Sequence, residues 1–95
     1  SNFFWVNSSN QLCTCPKDVL PGVTREIIIS GYPTTLQTLS EKDLPNIKAA
    51  FVTQSTHGII PVFAINDIAL DERNPLLLEV TEKYPLMTKA YRDYL

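Results

Sequence analysis

The sequence predicts a mixed α+β fold (α/β in the broad sense), with short strands outnumbering helices. Three observations carry this. An aromatic, β-branched run, Phe3-Phe4-Trp5-Val6, runs into the turn formers Asn7-Ser8-Ser9-Asn10. Two short apolar runs, Ala49 to Val52 and Ile59 to Ile65, flank the polar stretch Thr53-Gln54-Ser55-Thr56-His57-Gly58. Helix-start chemistry occurs twice, at Pro21-Gly22 before Ile27-Ile28-Ile29 and at Asn74-Pro75 before Leu76-Leu77-Leu78. Ninety-five residues make one small domain at most.

In chain order, Phe3–Val6 and Gln11–Thr14 pair as a β-hairpin across a four-residue turn, and Pro16 closes it. Asn7-Ser8-Ser9 matches a glycosylation acceptor formally, but its setting is that of a turn. Pro21-Gly22 then starts a short helix whose buried face is Ile27-Ile28-Ile29. Ser30-Gly31-Tyr32-Pro33 breaks it, and Thr34 to Leu39 reads as a Thr-rich strand. Ser40 with Asp43 three residues on forms a variant capping box opening a second short helix, limited by Pro45. Ala49–Val52 and Ile59–Ile65 are the next strands, and Pro61 gives the latter a kink or an edge position. Asn66-Asp67 turns the chain. Asn74 caps a helix with Pro75 in its first turn; Pro85 is expected to interrupt it, leaving Leu86 to Leu95 as one more short helix.

A net charge of −2 with scattered basic residues argues against nucleic acid and anionic membrane surfaces as partners. No apolar run reaches membrane-spanning length and no signal-peptide pattern opens the chain, so the expectation is a cytoplasmic protein or a piece of a larger one. Cys13 and Cys15 would share one face of a strand. Zinc would need two further ligands and His57 is the sole histidine, so these are read as reduced structural thiols.

Two stretches carry candidate chemistry. A Gly-containing turn at a helix start leaves the first backbone N–H groups, here of Val23 and Thr24, without intrahelical partners. With the helix dipole and the Thr24 hydroxyl they suit a phosphate or carboxylate, although most such starts bind only water. The polar residues 53–57 lie between two strands, where ligands bind in sheets covered by helices, and where solvated loops also lie.

Read together, five segments resemble the class IV aminotransferases, the pyridoxal-phosphate enzymes of fold type IV. They are Ser1 to Val6, Leu12-Cys13-Thr14, Leu20-Pro21-Gly22-Val23-Thr24-Arg25, Phe51 to Thr56 and Gly58-Ile59-Ile60-Pro61-Val62. No segment is specific alone; five in order are, and the resemblance covers about residues 1–84. It implies the C-terminal portion of a D-amino acid aminotransferase-like fold over residues 1–95, with pyridoxal 5'-phosphate as cofactor. By the same resemblance, the N–H groups of Val23 and Thr24 and the hydroxyl of Ser55 hold the cofactor phosphate. The N–H of Thr56 falls where relatives receive the substrate carboxylate. Arg25 matches a basic position without an assigned role and suits a structural ion pair equally well, and His57 is a loop histidine near the phosphate or facing solvent.

The resemblance also marks departures. The family's Schiff-base lysine lies upstream of the segment matching Ser1, and none of Lys17, Lys42, Lys48, Lys83 and Lys89 matches it. No catalytic residue is therefore assigned, and an upstream half of the same protein is expected to supply one. The Thr14-to-Leu20 loop is a residue or two short, and the helix after Arg25 ends about a turn and a half early. Leu-Pro-Gly-Val-Thr-Arg favours transaminases of branched-chain or D-amino acids. Gln54-Ser55 and Gly58-Ile59-Ile60-Pro61-Val62 lean toward the aminodeoxychorismate lyases of folate synthesis. A non-catalytic anion-binding module is the alternative of another class. Relatives commonly form homodimers, and the 95 residues alone are expected to be marginally stable, with edges exposed at the hairpin and around Val52 and Ile60.

Overall fold

A computed structural model describes residues 2–16 and 22–95. The expectations resting on Ser1 and on residues 17–21, including Leu20 and Pro21, lie outside them. The chain runs β1 (Asn2–Val6), β2 (Leu12–Thr14), α1 (Val23–Gly31), β3 (Thr34–Leu36), a 3-10 helix (Glu41–Asn46), β4 (Ala49–Gln54), β5 (Gly58–Pro61), β6 (Ala64–Ile65), β7 (Ile68–Ala69) and α2 (Pro75–Tyr94). Strands β1 to β5 form one sheet in the order β3-β2-β1-β4-β5, and β6 pairs with β7 separately. The mixed α+β class is as the sequence predicts.

The hairpin forms because Asn7 can satisfy its turn. Its Oδ1 accepts from the N–H groups of Ser9 (3.0 Å) and Gln11 (2.9 Å), while Asn10 takes the left-handed φ of 60° that asparagine tolerates. β1 is central, antiparallel to both β2 and β4. Central position explains its unbroken apolar sequence, since both faces are covered. On one face Phe4 and Val6 pack with Leu12, Ala49, Phe51 and the helix residues Ile27, Ile28, Leu77, Val80 and Met87. Phe4 and Phe51 are register partners, fully buried and stacked with centroids 4.9 Å apart. On the other face Trp5, Cys13 and Ala50 pack with Ile47 and Leu70, and Cys15 joins them. Cys13 and Cys15 thus share a face, both as free thiols, and burial pushes the Cys13 thiol up. No metal-binding group of three or more side chains occurs among the described residues.

Several expectations change. The hairpin is not an edge: β3 pairs in parallel with β2 across the α1 crossover, and β4 covers the other side, so β3 and β5 are the edges of the sheet. β3 stops at Leu36 rather than Leu39. The apolar run from Ile59 breaks after Pro61, where the chain leaves edge strand β5 and re-pairs as β6–β7 around the Asn66-Asp67 turn, with Asn66 at φ 54°. Ser40 and Asp43 do form a capping box, but the helix they open is 3-10 and carries Pro45 inside it. Of the three leucines at the start of α2, Leu77 is buried while Leu78 is half exposed.

The largest correction is α2, which runs unbroken through Pro85. Leu77, Val80, Tyr84, Met87 and Tyr91 recur at helical spacing across the proline and all pack in the α1–sheet core. Pro85 itself faces outward. A mid-helix proline costs about 3 kcal/mol, and burying several large side chains at about 1.5–3 kcal/mol each outweighs it. No helix among the described residues is long and apolar enough to cross a membrane.

Candidate anion site

The site is built where the start of α1 meets the turn after β4. Gly22 precedes α1 in extended conformation (φ −123°, ψ 125°), and the first helical bond runs from the Glu26 N–H to the Gly22 carbonyl at 3.1 Å. The N–H groups of Val23 and Thr24 precede that ladder, and glycine supplies no side chain to cap them. A Cβ on Gly22 would lie 2.3 Å from Oδ1 of the buried Asn2, so the end of that side chain would have to shift to admit one. The backbone of Asn2 is held by the bond from its N–H to Thr53 Oγ1 at 3.1 Å across the β1–β4 register.

Thr24 points inward with Ile27 and Ile28, one helical face toward β4. Its hydroxyl donates to the Gln54 carbonyl at 3.5 Å and accepts from the Tyr84 hydroxyl at 3.4 Å. The first turn of α1 therefore touches the residue immediately before Ser55. Ser55, Thr56 and His57 form the exposed turn joining β4 to β5, and Gly58 closes it with φ 71°. Thr56 Oγ1 and His57 Nδ1 lie 2.9 Å apart on the solvent side. The polar stretch 53–57 is thus divided. Thr53 is buried and structural, while Gln54, which ends β4, and residues 55–57 are exposed.

Of the residues singled out from sequence, Val23, Thr24, Ser55 and Thr56 come from two elements brought together at this corner. The exposed Val23 side chain faces away from the core, leaving its backbone N–H as its contribution. Arg25 is turned to structural use: its Nη2 donates to the Cys15 carbonyl at 2.9 Å, and Nη1 lies 4.0 Å from Glu26 Oε1. His57 is an exposed turn residue. Tyr84 and Asn2 were not singled out from sequence. The signal for Tyr84 was its helical spacing from Leu77 and Val80 on the inward face of α2; for Asn2 the sequence offered none.

Uncapped donors at a helix start, with a hydroxyl-bearing turn on the adjoining strand, are the kind of groups that a dianion such as a phosphate monoester takes. The family profile described as Amino-transferase class IV matches residues 1–65. No curated protein matches the chain. A Legionella pneumophila protein assigned as a 4-amino-4-deoxychorismate lyase superposes with a TM-score of 0.79 at 25% identity, over 90% of this chain and 34% of that one. The branched-chain aminotransferase of the archaeon Thermoproteus uzoniensis, solved with norvaline, gives 0.76 at 28% identity, over 88% and 30%. A Brucella abortus aminotransferase bound to PLP gives 0.72 at 21% identity, over 96% and 33%, a likeness of fold. The chain spans about a third of the length of these solved proteins.

Proposed function

The chain belongs to the class IV aminotransferase family, and from that premise we propose that it forms the phosphate-holding part of a pyridoxal 5'-phosphate enzyme that transaminates branched-chain or D-amino acids. The observation that carries this is the meeting of the α1 start with the β4–β5 turn, with Thr24 Oγ1 3.5 Å from the carbonyl of the residue before Ser55. In this proposal the N–H groups of Val23 and Thr24 and the Ser55 hydroxyl hold the cofactor phosphate, and the Thr56 N–H receives the substrate carboxylate. In support, the start of α1 carries no side-chain cap and lies against the end of β4, one residue before Ser55. When bound, the cofactor supplies an electron sink for the substrate α-carbon. This chain's residues anchor and orient it. Schiff-base formation and proton transfer at that carbon belong to a lysine outside residues 1–95, on an upstream half of the same protein. A cytoplasmic homodimer acting on a small amino acid completes the proposal.

A second reading has its own support. The Legionella superposition, with Gln54-Ser55 and the Gly58-to-Val62 run, favours release of pyruvate from an aminodeoxychorismate substrate. The test is borohydride reduction of protein from its native source, followed by peptide mass spectrometry. A pyridoxyl-lysine on a covalently continuous upstream segment is the expected result, and transfer to a 2-oxo acid against pyruvate release then separates the two chemistries. Recovery of residues 1–95 alone, with no specifically labelled lysine, would overturn the catalytic proposal.

A further inference from the structure

Tyr84, on α2, reaches the candidate anion site and touches both elements that build it. Its hydroxyl donates to Thr24 Oγ1 at 3.4 Å, and Thr24 donates onward to the Gln54 carbonyl at 3.5 Å. Its ring lies beneath the β4–β5 turn, so close that a Cβ on Gly58 would stand 3.0 Å from Tyr84 Cε2. Tyr84 is half-buried and packs against the helix-side core, so its position is set by α2 and not by solvent. We infer that Tyr84 is a positioning residue for the anion site, holding the start of α1 and the Ser55-Thr56 turn at the separation at which their donors meet one phosphate. This rests on the proposal that the corner binds a phosphate.

The physical argument concerns preorganisation. Donors from two separate elements bind a dianion well only if their spacing is held before the ligand arrives, since otherwise binding must order the turn. The β4–β5 turn is exposed at Ser55, Thr56 and His57 and makes no inward side-chain bond from those residues to the described core. Its attachments on the α1 side are the Thr24–Gln54 bond and the Tyr84 ring under Gly58. Both hydroxyl distances, 3.4 and 3.5 Å, lie at the outer limit of hydrogen bonding. The bond from Tyr84 is also a reason for a tyrosine here, because phenylalanine would fill the space under Gly58 without reaching Thr24.

Titration of isotope-labelled full chain with inorganic phosphate, followed by NMR, tests the inference. In the unsubstituted protein the amides of Val23, Thr24 and Ser55 and the ring signals of Tyr84 are expected to move along one binding curve. Tyr84→Phe keeps the ring and deletes the hydroxyl. It is expected to weaken phosphate binding by about three- to tenfold, the value of one hydrogen bond, with a melting temperature within about 2 °C of the parent. An unchanged Kd, with or without a lower melting temperature, makes Tyr84 merely structural and overturns the inference while leaving the anion site standing. Absence of any phosphate response in the parent protein overturns both. If Tyr84→Phe does not fold, the parent decides: Tyr84 ring signals that stay still while the Thr24 amide moves overturn the inference, and shared movement supports it.

Discussion

The two helices of this protein begin in opposite ways. α2 starts at Asn74, whose Oδ1 accepts from the N–H groups of Leu76 (3.0 Å) and Leu77 (3.2 Å), with Pro75 removing a third donor. Its first turn is closed by its own sequence. α1 starts at Gly22, which offers no side-chain cap, and its first turn touches the end of β4 through the Thr24 hydroxyl and the Gln54 carbonyl. Glycine at an N-cap gives up only a few tenths of a kcal/mol, about, relative to asparagine. The difference costs little in stability and leaves donors at one helix start that the other consumes. α2 is closed locally by Asn74, whereas the start of α1 is held by its neighbours Asn2, Gln54 and Tyr84.

Copying the α2 cap onto α1 should produce the largest effect. Gly22→Asn would supply an oxygen for the first-turn donors, but its Cβ would stand 2.3 Å from Oδ1 of buried Asn2. Overpacking of this kind costs about 1–3 kcal/mol, well above the gain from a better cap. Chemical denaturation should show that loss, and phosphate binding should disappear because the introduced carboxamide competes for the same N–H groups. Retained binding in a folded Gly22→Asn protein would break the contrast between the two helix starts.

The second test concerns why α2 can be long. Pro85 removes one helical bond from an exposed position, and Thr88 Oγ1 donates to the Tyr84 carbonyl at 3.0 Å near the site of the disruption. Pro85→Ala should stabilise the protein by about 1–2 kcal/mol, less than the penalty of about 3 in host helices, because the lost bond faces water. The gain should appear as a higher denaturation midpoint with phosphate affinity unchanged. Third in size is Asn74→Ala, which uncaps α2 and should cost about 1 kcal/mol, or about 4–8 °C in melting temperature for a domain of this size. It too should leave phosphate binding alone. Both variants sharpen the comparison by showing that the closed helix contributes stability and the open one contributes the ligand site.

These elements also show where the sequence was legible. The α1 start, the hairpin turn at Asn7, the Asn74 cap and the box of Ser40 with Asp43 are local devices, and each is present. Four candidate residues, Val23, Thr24, Ser55 and Thr56, fall at one corner. Non-local competition decided what was missed. Pro85 is a strong local stop, yet the stripe from Leu77 to Tyr91 is buried against α1 and the sheet, and burial won. The run from Ile59 to Ile65 reads as one strand, but Pro61 stands at a sheet edge, and the last ladder-like bond is from the Val62 N–H to the Ala50 carbonyl at 2.9 Å. Tyr84 lies before Pro85, at helical spacing from Leu77 and Val80, so its inward face was legible; its meeting with Thr24 was not, because packing of α2 on α1 sets it.

The far end of α1 completes the contrast, and its effect is the smallest. Tyr32, the C-cap of α1, donates its hydroxyl to Glu79 on α2, and Lys83 Nζ lies 3.0 Å from the other oxygen of that carboxylate. Burial, with the Glu79 carboxylate as acceptor and neighbouring charge, pushes the Tyr32 hydroxyl up from 10.0 to about 12. Glu79 is held below the ordinary carboxylate value, first by the Tyr32 hydrogen bond and then by Lys83. A raised Tyr32 means that the folded state keeps a proton that the unfolded chain releases, so its contribution is complete below pH 10 and is lost as pH rises toward 12. The lowered Glu79 works in the other direction, its contribution present above the ordinary value of 4.5 and lost as acid protonates it. Stability measured against pH should therefore fall between 10 and 12, and Tyr32→Phe should remove that component of the slope while leaving phosphate binding intact. A slope in that window unaffected by Tyr32→Phe would mean that the end of α1 is not closed by α2, and the division between a fixed helix end and an open helix start would fail.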